Sequence, residues 1–598
     1  MKEKQLYLKE NGGDFQGTVI GRQVTRDILF SEDPKDMGYI AENVPCQNAC
    51  PAATNIPGYI RCVWEKRYGR AYEINRMVNI MPGVLGRICS RPCESKCRHG
   101  EADLGKSVNI CYIKRSAADL KVSGHRIHEN LFAPSGKTVA VVGAGPSGLA
   151  AAHELTTLGH KVTIFEAMDK PGGMLRYGIP EFRLPRDIID MEVENILRLG
   201  VDLRTGVEIG SVMSVEDIMG QYDASIITVG CMNSNKLNIP GEDLEGVYSG
   251  LEFMMSVNAG ESVEMGENVV VIGGGYTAVD CARSAIRMGA SKVSINVRKT
   301  EEFMPIDDNE KHEVRFEKIR IYSLVRPTRI IGKNGKVEAV AFERTTLEST
   351  DDPKVKKVIP IENTEFEIPA DNVIIAIGQH TNTGFTDKIK LNGSRVWTEP
   401  GTYRTNIKNL FTAGDCVTGT TNVITAIANG RKSAHEVDEL FIGRRRKAKS
   451  VRFEPWTQTD RERAFDFIPP VPMPATAFKK RIEDPLSEVE TGYDAEEASE
   501  EAKRCYLCML KYEIDTSKCI YCFACIDVAP RDCIKKISGV TYKEDGSIGD
   551  YIETNDWSQV HSIAIDNKRC IRCGQCYEVC PMQCISIKKV ELIERDLV

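Results

Sequence analysis

Short runs of consecutive apolar residues, each followed by a glycine-rich turn and an amphipathic stretch, organise the middle of the chain. Residues 138–166 read TVAVVGAGPSGLAAAHELTTLGHKVTIFE. The run Val139 to Val142 has the pattern of a strand buried on both faces. Gly143-x-Gly145-x-x-Gly148 follows, opening an Ala/Leu-rich helix, and a second strand, Val162 to Phe165, ends in Glu166. The plan returns at 269–299, VVVIGGGYTAVDCARSAIRMGASKVSINVRK, where Gly273-x-Gly275-x-x-Ala278 lies between strand and helix. The strand from Val293 to Val297 then runs into Arg298 and Lys299. Two further runs, VIIAIG at 373–378 and LFTAGDCVTG at 410–419, predict buried strands, and 420–434 predicts a helix.

Each part of the repeated unit has a physical task. The first glycine makes the tight turn, the second admits a pyrophosphate, and the third packs helix on strand. The helix N-terminus, with Pro146 and Ser147 in one unit and Tyr276 and Thr277 in the other, faces the phosphates. Glu166 suits ribose hydroxyls; the second unit interrupts the first, which resumes at 373–378 and 410–419, so the order is read as FAD–NADP–FAD. The second has no acid at the strand end and two cations instead. A ribose 2′-phosphate needs a cation there, which favours NADP(H) over NAD(H). In two-nucleotide flavoproteins a strand ending in Gly-Asp sets its carboxylate beside the flavin ribitol, which here means Gly414 and Asp415. Asn422 and Val423 begin the helix aimed at the flavin, and Gly230 and Gly378 end the linking strands. No paired CxxC stands beside these motifs: Cys231, Cys281 and Cys416 are isolated, so electrons must leave the flavin by another route.

Composition is that of an ordinary globular protein: 598 residues, 42% hydrophobic and 27% charged. At roughly 150 residues per domain, about four domains are expected. A net charge of −7 argues against nucleic-acid binding. No apolar run reaches the ~18 residues of a membrane span, and the opening MKEKQLYLKENGG lacks the apolar stretch of a secretory signal. A cytoplasmic location is expected.

Cysteine changes the picture. Of 21, seven precede residue 112 and eleven follow residue 504. A cytoplasmic chain does not keep such clusters for disulfides, and they point to metal. Cys570-x2-Cys573-x2-Cys576-x3-Cys580-Pro581 is the bacterial iron–sulfur run. Its partner, Cys519-x2-Cys522-x2-Cys525, has Ala529 where a fourth cysteine is expected. Because the fourth cysteine of each run ligates the other cluster, Cys580 completes the Cys519 set. The Cys570 set then takes Cys533, forms a 3Fe–4S centre, or uses a non-cysteine ligand. Cys584 reads as a core thiol. Cys505-x2-Cys508 is half a site, a ligand pair with other partners or a bystander.

Near the amino terminus, Cys46, Cys50, Cys89, Cys93, Cys97 and Cys111 suffice for one 4Fe–4S cluster with two thiols to spare, zinc being the alternative. The stretch from Pro57 to Ile80 predicts helix with Ile60, Val63 and Trp64 on its apolar face, which makes Cys62 a packing residue.

Taken together, RICSRPCESKC, PGGMLRYGIPEFRLP, VVVIGGGYTAVDCAR, NLFTAGD and SEVETGYDAEEASEEAKRCYLC resemble the glutamate synthase small (beta) subunit family over about residues 40–510. The resemblance implies α/β two-dinucleotide-binding Rossmann-type domains, an α-helical N-terminal Fe–S domain, FAD, and NADPH oxidation or NADP reduction at the flavin. It adds Gly173 and Arg176 to the flavin site, and Cys50, Cys89 and Cys93 as cluster ligands. The fourth ligand in some relatives is a Gln aligning near Lys114, and the candidates to replace it here are Cys111, Cys46 and Cys97. Relatives with two N-terminal clusters have two more cysteines just before the Cys46 position, and GYIAENVP holds none. The C-terminal α+β bacterial-ferredoxin-like domain is an addition to the ordinary glutamate synthase subunit.

The expected organisation is a helical Fe–S domain at 1–134, FAD-binding parts at 135–265 and 370–448 around an NAD(P)-binding domain at 266–369, a linker at 449–504, and a two-cluster ferredoxin domain at 505–598. The expected activity is an NAD(P)H:acceptor oxidoreductase serving a protein redox partner, either ferredoxin or a large catalytic subunit of the dissimilatory sulfite reductase type. A homodimer or hetero-oligomer would fit. Hydride transfer obliges no protein acid or base, and no catalytic residue is nominated. The rival readings are a true glutamate synthase small subunit and a relay scaffold with a vestigial nucleotide site; flavin-based bifurcation is left open.

Overall fold

A computed structural model describes residues 32–597, apart from 102–104, 123, 126, 128, 353–354, 386–387, 460 and 543–547, together with the short strands Lys4–Gln5, Lys9–Glu10 and Gly13–Asp14. Most of the opening segment read against a secretory signal lies outside the described residues.

Two parallel sheets form the centre. The first runs Leu410–Thr412, Ala224–Ile227, Thr138–Val142, Lys161–Phe165, Asp202–Arg204. Its four strands other than the edge strand Asp202–Arg204 are short and largely apolar because helices, among them Pro146–Thr157 and Val423–Ile442, cover them. The second runs Arg320–Ser323, Lys292–Val297, Asn268–Ile272, Asn372–Ile375, Val247–Ser249. Here the expected boundaries need correction. The strand within VIIAIG, placed in the FAD-binding part 370–448, pairs with Asn268–Ile272 in the second sheet. Val247–Ser249, placed in the FAD-binding part 135–265, pairs with its other edge. A doubly buried strand carries the same apolar pattern in either sheet, so pattern does not tell which sheet owns it. An antiparallel meander, Val325–Lys333, Lys336–Ser349 and Phe366–Pro369, replaces a crossover helix in the second module.

The N-terminal domain is helical, as expected. The predicted helix from Pro57 divides into Ile56–Trp64 and Tyr68–Arg76, broken at Lys66, which has φ +58°. Asn55 caps the first, its Oδ1 accepting the Gly58 amide at 3.0 Å. Ile60, Cys62 and Val63 are buried in the core.

The C-terminal part repeats one unit twice. Each unit is a strand, a cysteine loop, a helix of five residues and a second strand. The short helices are Ala524–Val528 and Gln575–Val579. The halves match to the hydrogen bond: Asp515 N–H donates to Cys584 O, and Asp566 N–H to Cys533 O, both at 2.7 Å.

The expected linker is structured. Lys447–Trp456 pairs antiparallel with Ile585–Asp596, from Lys447 opposite Asp596 to Trp456 opposite Ile587. Helix Ala495–Lys503, with a capping box from Asp494 and Glu497, packs on Ile56–Trp64. Weak periodicity concealed this segment, because its contacts are distant in sequence.

Candidate functional site

The first glycine loop leaves no room for side chains at two of its three positions. A Cβ on Gly143, whose φ is +103°, would stand 2.7 Å from Thr228 O, and one on Gly148 would stand 1.9 Å from Gly143 O. Gly145 meets nothing nearer than Gly173 Cα at 4.0 Å, so open space lies where a pyrophosphate approaches. Glu166 is held by the backbone: Oε2 accepts the Ala144 amide at 2.7 Å and Oε1 the Met168 amide at 2.9 Å. Burial raises its pKa, and those amides oppose the rise.

At the far end, Gly414 has φ +80° and turns the chain so that Asp415 faces the same space. Asp415 Oδ1 accepts the Thr421 amide at 3.1 Å and its hydroxyl at 2.7 Å. Burial raises this carboxyl also. Asn422 Oδ1 caps the following helix through the Thr425 amide at 3.0 Å. That helix starts at Val423, and Thr420, Asn422 and Val423 line the cavity.

The second loop repeats the design. A Cβ on Gly273, at φ +131°, would stand 2.1 Å from Ala376 O, whereas Gly275 has no neighbour within 4 Å. Arg298 and Lys299 lie at the cavity edge, and neither has a carboxylate partner among the described residues. Lys299 Nζ rests 5.8 Å over the Phe303 ring. Two unpaired cations beside a glycine loop fit a phosphate monoester.

Both halves open into one cleft of ≈ 1660 Å³. Gly143, Gly145, Pro146, Ser147, Glu166, Gly173, Gly230 and Asp415 line it from the first module, and Gly378 follows the second-sheet strand Asn372–Ile375 into it. Gly275, Tyr276, Thr277, Arg298 and Lys299 line it from the other. Three proposed residues stand outside the lining. Gly148 and Ala278 pack their helices on the sheet, as the third position of the motif requires. Arg176 turns away: its Nε donates to Pro171 O at 2.7 Å and its Nη2 pairs with Asp190. It braces the Gly172–Gly173 loop.

Sequence reasoning missed several lining residues. Arg326, Pro327 and Thr328 come from the meander, which no motif marks. Ile88 and Ser90, flanking Cys89, bring the N-terminal domain to the cleft wall. Arg183 and Asp280 also line it. Burial lifts the Asp280 pKa to about 6 against the pull of Arg183.

The thiols form four groups. Cys50, Cys89, Cys93 and Cys111 surround buried Lys114. Burial works to lower the Lys114 pKa, and the four sulfurs outweigh it in the raising direction. The Cys111 thiol also donates to Leu85 O and Gly86 O, both at 3.3 Å. Cys46 and Cys97 are not spare members of that group. With Cys505 and Cys508 they line a separate small void. Cys519, Cys522, Cys525 and Cys580 form the third group, and Cys584, read as a core thiol, joins it with its Sγ 3.3 Å from that of Cys580. Cys570, Cys573 and Cys576 face Cys533, which hydrogen-bonds to Cys570. Thiol donors in fours are the donor chemistry of iron–sulfur clusters.

Comparison with known proteins agrees with this geometry. Residues 137–430 match the pyridine nucleotide-disulphide oxidoreductase family. Residues 39–125 match the dihydropyrimidine dehydrogenase domain II, 4Fe-4S cluster, family, and 563–586 the 4Fe-4S binding domain family. The chain is 34% identical over 497 residues to the NADP(+)-dependent formate dehydrogenase subunit beta of Moorella thermoacetica, covering 78% of this chain and 70% of the relative. It is 31% identical over 511 residues to the NADPH-Fe(3+) oxidoreductase subunit beta of Geobacter sulfurreducens, covering 78% and 75%. It is 33% identical over 414 residues to the glutamate synthase [NADPH] small chain of Escherichia coli, covering 66% and 87%. With its FAD- and NAD(P)-binding module between two 4Fe–4S domains, the chain belongs to the family of glutamate synthase small chain-like iron–sulfur flavoprotein oxidoreductase subunits.

Proposed function

We propose that this chain is the NADPH-linked flavin subunit of a larger redox enzyme, working between NADPH and a one-electron protein partner. The observation that carries the reading is the single cleft. It joins the Glu166–Gly143–Asp415 side to the Gly275–Arg298–Lys299 side, and its wall includes the Cys89 loop.

The residues divide the work. Gly145 and the first turn of helix Pro146–Thr157 take the flavin pyrophosphate, and Glu166 takes the ribose diol. Asp415, fixed by Thr421, meets the ribitol. Gly275 and Thr277 admit the nicotinamide dinucleotide, and Arg298 with Lys299 select its 2′-phosphate. FAD, when bound, exchanges hydride with nicotinamide and single electrons with iron–sulfur clusters. Position and electrostatics are the contribution of the protein; no side-chain acid or base is needed.

The partner docks at the ferredoxin-like end. Cys522 is exposed, and Ile520 and Met582 beside it are 58% and 44% exposed. An apolar rim around an outer thiol group suits transient contact between redox proteins. Several relatives are named as beta subunits, which supports a partner. Cytoplasmic residence is part of the reading, supported by 21 cysteines standing as free thiols. Among the described residues no helix is long and apolar enough to cross a membrane.

Anaerobic titration with NADPH, and separately with NADH, tests this by flavin absorbance and EPR together. NADPH is expected to bleach the flavin and raise cluster signals at far lower concentration than NADH. A flavin that neither nucleotide bleaches overturns the reading in favour of a relay scaffold.

A further inference from the structure

The pair Cys505-x2-Cys508 lies more than 400 residues from Cys46 and Cys97 in sequence, yet the four line one void together with Ile56, Ile60 and Ile110. Cys46, Cys505 and Cys508 are buried. Tyr39 ties the two ends of the chain together there, its hydroxyl donating to Cys508 O at 3.1 Å.

The local backbone of this pair matches that of the two ferredoxin runs. In Cys519-x2-Cys522 the residue before the second cysteine, Tyr521, has φ +54°, and its amide donates to Cys519 Sγ at 3.4 Å. In Cys570-x2-Cys573 the corresponding Arg572 has φ +59°, and its amide donates to Cys570 Sγ at 3.4 Å. In Cys505-x2-Cys508, Leu507 has φ +50° and donates to Cys505 Sγ at 3.4 Å. A left-handed leucine is unfavourable for an ordinary buried loop. Here it turns an amide toward sulfur, the arrangement that stabilises cluster thiolates. Backbone amides of His99 and Val108 likewise reach Cys97.

Charge and spacing narrow the ligand. Four thiols converging on one void are a metal donor set, and a buried thiolate needs a cation beside it. A single tetrahedral zinc with ≈ 2.3 Å bonds would draw its sulfurs to about 3.8 Å apart. No three cysteine sulfurs among the described residues lie within 4.8 Å of one another. Arg461 Nε donates to Cys505 O at 3.1 Å and Arg572 Nη2 to Cys508 O at 3.4 Å, placing guanidinium charge beside the site.

We propose that Cys46, Cys97, Cys505 and Cys508 hold a further 4Fe–4S cluster, built jointly by the two ends of the chain. The two cysteines missing before Cys46 are thereby replaced from a remote segment. The site has a neighbour on each side. Cys93 of the Lys114 group faces Cys46, and Arg572 bridges Cys508 O to Cys570 O. A cluster here accepts one electron from the cleft side and passes one to the ferredoxin side, so it joins two domains that would otherwise be separate. The inference concerns ligands, and it holds whichever nucleotide the cleft takes.

The test uses the full chain, reconstituted anaerobically with iron and sulfide. Cys505→Ala/Cys508→Ala is expected to lose about four iron and four sulfide per chain relative to the parent. Flavin content and the ferredoxin-type EPR signals should persist, with Cys62→Ala as the unaffected control. Unchanged iron and sulfide overturn the proposal, as does stoichiometric zinc without sulfide loss. Should the double variant lose its flavin through misfolding, Cys508→Ser decides. A shifted EPR signature from one cluster supports the ligand role, and a spectrum identical to the parent overturns it.

Discussion

Arg183 of the FAD module donates its Nη1 to Asp280 Oδ1 of the NAD(P) module at 2.6 Å, at the wall of the cleft between them. Its Nη2 reaches Glu310 Oε1 at 2.5 Å. The pair is buried, so removal of one member leaves uncompensated charge. Arg183→Met is expected to cost about 3–5 kcal/mol, read as a lowered melting temperature of the FAD-loaded protein. An unchanged melting temperature would show that the modules are held elsewhere.

The same aspartate gives a pH signature. Burial lifts Asp280 to about 6, above the ordinary carboxylate range, despite Arg183. A carboxyl whose folded pKa is raised favours the folded state at low pH, and that contribution is lost as pH rises. The window runs from the ordinary aspartate value, about 4, to about 6. Asp280→Asn removes the titration. Across this window the parent should lose stability relative to Asp280→Asn as pH rises, measured as the difference between their melting temperatures. A flat difference would contradict the burial argument.

The three glycines of the first loop predict different failures. Gly145 has φ −77°, open to any residue, and no protein atom for a Cβ to strike. Gly145→Val should therefore fold and yet elute without flavin. Gly148→Val drives atoms into Gly143 O and should yield little soluble protein. Flavin-to-protein absorbance ratios separate the two. Flavin retained in Gly145→Val would place the pyrophosphate elsewhere.

Arg298 and Lys299 carry the choice of nucleotide. Arg298→Glu should raise KM for NADPH by about ten- to a hundredfold, equivalent to ~1.4–2.8 kcal/mol. KM for NADH and kcat should hardly move, because the 2′-phosphate is remote from the nicotinamide. An equal rise for both nucleotides would mean that Arg298 supports the loop and does not read the phosphate.

Much of this was legible in sequence because the motifs are local. Thr138 to Glu166 and Asn268 to Lys299 each carry strand, turn, helix and strand end within about thirty residues, and the folded chain places their glycine loops on one cleft. What escaped was long-range. Cys505 and Cys508 showed only half a site because their partners are at the other end of the chain. The strand Asn372–Ile375 has an apolar pattern that fits either sheet. The strand Lys447–Trp456 pairs with Ile585–Asp596, across the 128 intervening residues 457–584, and resembled a linker. The departure at Ala529 was more readable, since Cys533 follows it by one turn and does face Cys570.

The repeat symmetry of the ferredoxin-like part leads to the last prediction. Cys533 and Cys584 occupy equivalent places, each accepting an aspartate amide at its carbonyl at 2.7 Å. Ala529 is the equivalent of Cys580. One half therefore has a single thiol for the fourth position, and the other has two with sulfurs 3.3 Å apart. Cys533→Ala should strip one iron from the Cys570 group and leave a 3Fe–4S signature in the oxidised protein. Cys580→Ala should keep its cluster, because the Cys584 sulfur needs to move only a short way to replace the lost ligand, and the EPR line shape should change. Only Cys580→Ala/Cys584→Ala should open the Cys519 group in the same way. Iron analysis and EPR of the three variants check this, and a cluster lost from Cys580→Ala alone would show that Cys584 is a packing thiol after all.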